Sequence, residues 1–426
     1  MSSRTIQLAT IQLAWCGLAL LTVSGNLLLA QTSNYANDKI EPHVPLFVQV
    51  DVVYLSADIL NGRATGSSEE VLAARYIADR FKILGLMPAG DDGWYQAFSF
   101  AVNSNPHGGG TADAEMVHGR NVIGFLDNGA KSTVVIGAHF DHLGMGGAGS
   151  RAPGVTAVHN GADDNASGVA GVLEIARQLL ASSARSNNYL FVAFSGEELG
   201  LLGSKHLVSS DLIKKYQINY MINLDMIGRL GETNAIAISG TGTSDAWDAA
   251  LDEVKSDLVI NKHESGLGPS DHSSFYLNNT PVVHFFTGQH EDYHKPGDDS
   301  HLINYEGIYA IASYAVELIE SLNDNGKLTF QKTVDQSQTR TAFNVTLGIM
   351  PDYVSSGGGV RIDAVMDDRP GALAGLQKGD IIIKLGDVDV VDINAYMEAL
   401  SKLNPGDNVP IEIKRGEETV ALKIQF

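Results

Sequence analysis

Only one cysteine, Cys16, occurs in the 426 residues, and it lies in a stretch that reads as removable. The remaining chain then has no thiol and no disulfide, so its stability must come from packing or from another kind of cross-link such as a metal. Basic residues are scarce as well: 29 Lys and Arg face 50 Asp and Glu, a formal charge of −21. Residues 1–30 carry only Arg4, so the chain without them stands at −21 − 1 = −22. This imbalance argues against nucleic acid or an anionic membrane surface as a partner. It accords with a site that draws cations or the amino end of a peptide. Apolar residues at 44% and charged residues at 19% are ordinary for a globular chain, and the length allows two domains.

The N-terminus has the features of an export signal. Arg4 supplies the positive end, an apolar stretch runs through Leu13–Leu29, and Ala30 before Gln31 offers a cleavage point. Gln12 and Ser24-Gly-Asn26 interrupt that stretch, which makes a retained membrane anchor the lesser reading. Trp15 before Cys16 is a poor fit to a lipoprotein cleavage site. The expected location is the periplasm of a bacterium or the medium around it.

Residues 31–50 read as a lead-in. A helix is expected over Val71–Leu86, with Leu72, Tyr76, Ile77, Phe81 and Leu84 as its apolar stripe. Gly85 and Pro88-Ala-Gly90 close it, and a polar loop follows through Gly108-Gly-Gly110. From Asn121 onward strands alternate with helices. Val122–Leu126, Thr133–Ala138, Tyr189–Phe194, Ile218–Leu224, Ala235–Ser239 and Pro281–Phe286 read as strands. Ala166–Leu180 (opened by Asn165), Ser204–Ser209, Ser244–Asp257 and Tyr305–Leu322 read as helices. That alternation implies an α/β domain over residues 51–322, with a mostly parallel sheet and helices on both faces. Sites in such folds lie beyond the carboxyl ends of the strands. Residues 323–342 read as a linker, and 343–426 as a small β-rich domain.

Potential metal ligands gather at those strand ends. They occur in Gly137-Ala-His-Phe-Asp-His142, in Asn160-Gly-Ala-Asp-Asp-Asn-Ala-Ser-Gly168, in Glu197-Glu198, in Asn223-Leu-Asp-Met226 and in Asp292-Tyr-His-Lys-Pro-Gly-Asp298. Adjacent side chains at a strand end point in different directions, so one of Glu197 and Glu198 can face a metal while the other faces a water on it. Asp141 shares a strand face with His139 and can hydrogen-bond its free ring nitrogen. Asp163 is placed to bridge two metals. An isolated aspartate or loop histidine is seldom a ligand. Two imidazoles and three carboxylates at one sheet edge, however, suit two zinc ions.

These motifs resemble the co-catalytic di-zinc aminopeptidases, a group that includes relatives of the glutamate carboxypeptidases. The resemblance rests on H-x-D, G-A-D-D-N-A-S-G, G-E-E-x-G-L-x-G-S, N-L-D-M and a late Y-H, and covers most of Asp51–Leu322. It implies a three-layer α/β/α zinc-peptidase domain with a mixed, mostly parallel sheet. By resemblance, His139 and Asp225 bind one zinc, Glu198 and His294 the other, and Asp163 bridges both. Glu197 would be the general base, Asp141 the support of His139, and Tyr293 the donor to the oxyanion. No tyrosine precedes Ser270-Asp-His272 to take that last role, and His272 is either a pocket residue or structural. In relatives the peptide corresponding to Asp163–Asp164 is cis. The interval Ala101–Gly119 is too short for a protease-associated insertion, which leaves substrate access to glycine-rich, mobile loops such as Gly144–His159.

Residues 343–426 resemble a PDZ domain of the bacterial protease type, through Leu347-Gly-Ile-Met350, Val360–Val365 and Arg369-Pro-Gly-Ala-Leu-Ala-Gly-Leu-Gln-Lys-Gly-Asp-Ile-Ile382. Amides near Leu347-Gly348 would receive the C-terminus of a peptide, with helix Ile393–Leu400 as the other wall of the groove. The function expected is therefore an exported zinc exopeptidase acting on peptide N-termini, with two zinc ions and a recruiting or regulatory PDZ domain. Carboxypeptidase or glutaminyl-cyclase-like chemistry and a non-catalytic PDZ binder are the alternatives. Against the first stands the shortage of arginines near the motifs, where only Arg151 and Arg229 occur, and cyclase relatives use a single zinc. Against the last stands the retention of Glu197 together with all five ligands.

Overall fold

The computed structural model describes residues 46–103, 114–147, 149–333, 345–351, 358–366, 368–391, 393–416 and 418–426. The expected signal, the lead-in to residue 45, the Gly108-Gly-Gly110 loop and residues 334–342 of the expected linker lie outside them. Among the described residues no helix is long and apolar enough to cross a membrane.

Helices α1 (Leu46–Leu55) and α2 (Ser68–Ile83) precede a nine-stranded sheet made of β1 (Met87–Pro88), β2 (Tyr95–Asn103), β3 (Ala114–Leu126), β4 (Ser132–His139), β5 (Asn187–Phe194), β6 (Ile218–Leu224), β7 (Ala235–Ser239), β8 (Val259–His263) and β9 (Val282–Phe286). Its order is β1-β3-β5-β4-β6-β9-β7-β8, and β2 pairs with β3. The run β5-β4-β6-β9 is parallel, while β3 joins β5 and β7 joins β9 antiparallel. Along β4 alternate residues feed separate cores. Val134, Ile136 and Ala138 pack beneath α1, α2, α3 (Gly168–Ala181) and α7 (Tyr305–Ser321), and Val135 packs on the other side with Leu207 of α4 (Leu202–Ser209) and Phe275 of α6 (His272–Leu277). A strand buried on both faces between helices makes the three-layer α/β/α architecture. The expected helix after β7 is shorter than read, α5 (Ala246–Glu253).

Some boundaries differ from expectation for identifiable reasons. Helix α2 starts at Ser68 because Ser67 caps it, its side chain accepting from Glu70 N while a Glu70 carboxylate oxygen accepts from Gly66 N. The lead-in expected through residue 50 ends inside α1, which is anchored by buried Asp51; this accepts from Tyr76 Oη at 2.6 Å and pairs with Arg80 Nε at 2.7 Å. The expected loop after Gly90 includes β2, held to β3 along its whole length. Residues 323–333, expected as linker, lie on the domain: Leu328 N donates to Asn219 Oδ1 and Gln331 N to Thr243 O.

The C-terminal domain is built on an antiparallel sheet of order β10-β11-β12-β14-β15, with β13 paired to β12. Its strands are β10 (Ile349–Pro351), β11 (Val360–Val365), β12 (Ile381–Leu385), β13 (Val388–Asp389), β14 (Asn408–Arg415) and β15 (Glu418–Gln425). Leu347, Ile362, Ile382, Leu400 and Ile413 form a core from this domain's own residues. Helices α8 (Pro370–Leu373) and α9 (Ile393–Ser401) complete it.

Arg63 organises the edge of the large sheet where the ligands collect. It is fully buried, and its guanidinium donates to Phe140 O after β4, to Leu55 O at the end of α1, and to Asn160 O and Gly161 O in the turn before α3. Burial pulls its pKa down only to about 10, so it stays a cation at neutral pH. Removing it strands several buried carbonyls, each costing on the order of 1–3 kcal/mol. Arg63→Met is therefore expected to lower the melting temperature by about 6–12 °C, from roughly 3 kcal/mol and about 2–4 °C per kcal/mol for a domain of this size. A change below about 2 °C in a thermal melt would contradict this role.

Candidate metal centre

The parallel register brings the ligand segments together. His139 ends β4 opposite Phe194 at the end of β5, and Gly137 sits opposite Asn223 of β6. Glu197 and Glu198 thus follow β5, and Asp225 follows β6, at one edge. The segment after β9 brings His290–Asp298 over the same edge. The turn at 160–167 is shaped by Gly161 at φ +55°, where a Cβ would lie 2.2 Å from Asp164 O. Asp298 closes it, one carboxylate oxygen accepting from Asp163 N at 2.9 Å and Asp164 N at 3.0 Å.

Two ligand groups result, and Asp164 belongs to both. His139 Nε2 lies 3.3 Å from Asp164 Oδ1 and 3.4 Å from Asp225 Oδ1. His294 Nε2 lies 3.1 Å from Asp164 Oδ2 and 3.2 Å from Glu198 Oε2. His142 joins the second group, its Nδ1 2.7 Å from Glu198 Oε1. Each oxygen of Asp164 faces one group.

Asp163, expected as the bridge, turns away. Its Oδ1 accepts from Gly228 N at 2.6 Å and Ser167 Oγ at 3.0 Å, and its Oδ2 faces His290 Nε2 at 3.2 Å. Asp298 grips both amides of the pair, which orients the turn so that the later carboxylate points into the centre. The cis bond likewise lies one residue later than expected, between Asp164 and Asn165. Helix α3 starts at Gly168, two residues later than the expected Ala166, and the Asn165 side chain accepts from Gly168 N just before it.

Glu197 belongs to neither group; its Oε2 is 3.9 Å from His139 Nε2. Asp141 receives Glu197 N at 3.2 Å and Thr65 Oγ1 at 2.8 Å. The Asp141 carboxylate is 3.7 Å from His139 Nδ1, beyond hydrogen-bond range, whereas Asp141 O lies at 3.2 Å. The ring of His139 is thus oriented mainly by the backbone carbonyl of Asp141, while its carboxylate seats Glu197. The Tyr293 ring lies against that of His294, centroids 3.9 Å apart and planes tilted by 31°. His272 is fully buried and stacked on His284 at 4.4 Å, and burial pushes the pKa of both rings down. It is a core residue and does not line an open pocket. His142, Asp164 and Asp298 were not singled out from sequence. His142 had a visible signal, since it closes the H-F-D-H run, but its alignment with Glu198 depends on the chain turning after β4.

Charge governs the centre. Burial disfavours a protonated His139, but Asp225 and Glu197 outweigh it and hold its pKa well above the ordinary value. His294 is likewise raised to about 10, its hydrogen bonds to Asp164 and Glu198 overcoming burial. Burial and Asp164 would raise Glu198, yet its hydrogen bonds to His142 and His294 bring it to about 2. Asp164 is held well below its ordinary value, hydrogen bonds to His139 and His294 overriding burial. Without a cation the rings therefore carry protons that zinc must displace, so affinity for zinc strengthens as pH rises. The donor atoms of His139, Asp164 and Asp225 all lie within 4.8 Å of one another, as do those of His142, Asp164 and Glu198. Imidazole nitrogens and carboxylate oxygens so converged fit zinc.

Residues 121–319 match the family model of peptidase family M28, and residues 337–426 match that of a PDZ domain. A probable leucine aminopeptidase of Trichophyton verrucosum is 33% identical over 175 residues, covering 38% of this chain and 45% of the relative. Aminopeptidase YwaD of Bacillus subtilis is 33% identical over 158 residues, 34% of each chain. The chain thus spans less than half the length of these curated relatives. Among solved structures, an aminopeptidase from Aneurinibacillus sp. strain AM-1 superposes with TM-score 0.50 at 18% identity, over 68% of this chain and 95% of that one. A glutaminyl cyclase of Bacteroides thetaiotaomicron superposes with TM-score 0.50 at 19% identity, over 64% and 96%. These likenesses establish the fold.

Because Asp164 serves both groups, Asp164→Asn is expected to lower retained zinc to below about half that of the unaltered protein, as second-sphere changes alone already cost about 10–100-fold in affinity. Elemental analysis after dialysis against a weak chelator measures this. Full zinc retention would remove Asp164 from the ligand set.

Proposed function

We propose that this chain, whose residues 121–319 match peptidase family M28 and whose residues 337–426 match a PDZ domain, is an exported two-zinc aminopeptidase that hydrolyses N-terminal residues from peptides. The observation that carries this reading is the carboxylate of Asp164 shared by two ligand groups, with Glu197 in neither group and its carboxylate 3.9 Å from His139. His139, Asp164 and Asp225 would hold one zinc, and Asp164, Glu198 and His294 the other, with His142 fixing Glu198. Zinc, when bound, supplies Lewis acidity that polarises a scissile carbonyl and acidifies water.

The chain's own groups do the rest. Burial, joined by the carboxylates of Glu198, Asp225 and Asp271, outweighs the attraction of His139 and lifts the pKa of Glu197 well above the ordinary value. A carboxylate so raised accepts a proton from the attacking water and returns it to the leaving amine. Thr65 and Asp141 seat this base through the Glu197 amide. Burial, with Asp164 and Glu198 nearby, raises the pKa of Tyr293, so its hydroxyl stays protonated and available to donate to the developing oxyanion. The carboxylates around the centre favour the positive amino terminus of a peptide. Arg229 is committed to Asp292 at 3.4 Å and Asp298 at 3.3 Å, which does not favour carboxypeptidase chemistry. The apolar stretch ending at Ala30 supports export to the periplasm or beyond, and the PDZ domain supports recruitment of a peptide C-terminus.

Glu197→Gln keeps the shape and removes the base. Retained zinc with kcat lowered about 10²–10⁴-fold is expected, measured on aminoacyl-p-nitroanilides and by elemental analysis. Turnover within about tenfold of the unaltered protein would deny Glu197 that role.

A further inference from the structure

Three arginines surround the metal centre, and they are used differently. Every hydrogen-bonding partner of the Arg63 guanidinium is a backbone carbonyl. Arg229 pairs with Asp292 and Asp298. Arg151 places the face of its guanidinium over the Tyr293 ring, 4.5 Å from the centroid. Among the described residues no carboxylate lies within ion-pair distance of it. Stacking consumes the face of a guanidinium and leaves its N–H edge free. The side chain is only half-buried, so that edge can reach a ligand.

The loop that carries Arg151, expected to be mobile, is fastened to the metal-binding segment. Gly149 O accepts from His294 Nδ1 at 2.8 Å, Arg151 N donates to His294 O at 2.9 Å, and Ser150 Oγ lies 2.7 Å from His159 Nε2. His159 N in turn donates to Gly144 O. Arg151 thus brackets the Tyr293–His294 pair, its backbone on one residue and its side chain on the other. A cation fixed in this way loses little freedom when it takes a ligand. Asp164 and Glu198 flank His294 and act on Tyr293, and these carboxylates would repel an acidic substrate.

We propose that Arg151 is a specificity residue that receives a carboxylate of the peptide next to the scissile bond, so that the enzyme prefers acidic substrates to their neutral isosteres. This rests on the peptidase reading. A carboxylate on a guanidinium edge forms a paired, charge-assisted contact that the matching amide does not. The carboxylate can belong to the N-terminal side chain, to the next side chain, or to the free end of a dipeptide.

Full-length zinc-loaded protein, given three matched pairs, separates these sources: Asp-Gly-amide against Asn-Gly-amide, Leu-Asp-amide against Leu-Asn-amide, and Leu-Gly against Leu-Gly-amide. At least one carboxylate member should exceed its partner by roughly tenfold or more in kcat/KM, mainly through KM, as expected for a hydrogen-bonded charge. The pair that shows it names the source. In Arg151→Ala the ratio should fall to within about threefold of unity, while Arg151→Lys keeps part of it. The inference is overturned if the unaltered protein cleaves the neutral members equally well, or if the preference survives in Arg151→Ala. Failure to cleave any of the six would instead contradict the peptidase reading. Calorimetric binding of the same pairs then decides Arg151, and equal affinities within each pair would sink the proposal.

Discussion

One carboxylate with two faces constrains everything around it. Asp164 presents one oxygen to His139 and Asp225 and the other to His294 and Glu198, so the two groups cannot move independently. The side chain is nearly buried and sits in a turn with little intrinsic preference for that orientation. Its position is imposed from outside. Asp298 takes the amides of Asp163 and Asp164, Gly161 supplies the left-handed step, and Arg63 fastens the carbonyls of residues 160 and 161 to α1 and β4.

These supports explain the division of labour among the charged residues. Arg63 holds backbone carbonyls, Asp298 holds backbone amides and pairs with Arg229, and Asp163 accepts from Gly228 N and Ser167 Oγ; these residues fix geometry and belong to neither ligand group. His139, Asp164, Glu198, Asp225 and His294 face inward, and their mutual attraction holds the rings protonated until a cation replaces those protons. Glu197 is left over, seated by its amide on Asp141 yet free at its carboxylate. A carboxylate beside a metal centre that joins neither ligand group is the arrangement that hydrolysis needs.

Much of this was legible in the sequence because parallel strands end together. Once β4, β5, β6 and β9 are recognised as neighbours, His139, Glu198, Asp225 and His294 converge without further information. The choice between Asp163 and Asp164 was not legible. Neighbouring residues of a turn point in different directions, and the deciding contact comes from Asp298, 134 residues beyond Asp164. The same holds for Arg63, whose partners lie as far as 101 residues away, and for α1, which forms because Asp51 meets Tyr76 and Arg80 on α2. The segment at 323–333 read as linker because its polarity hides the bonds it makes to Asn219 and Thr243. Periodicity reports the layers; long-range polar contacts select which side chain of a pair does the work.

The shared carboxylate is tested most directly by titrating chelated full-length protein with cobalt(II), which suits the same nitrogen and oxygen donors as zinc, and following the electron paramagnetic resonance signal. The second equivalent should couple to the first through Asp164, so that the signal at two equivalents falls well short of twice that at one. Two additive, independent signals, or saturation at a single equivalent, would contradict it.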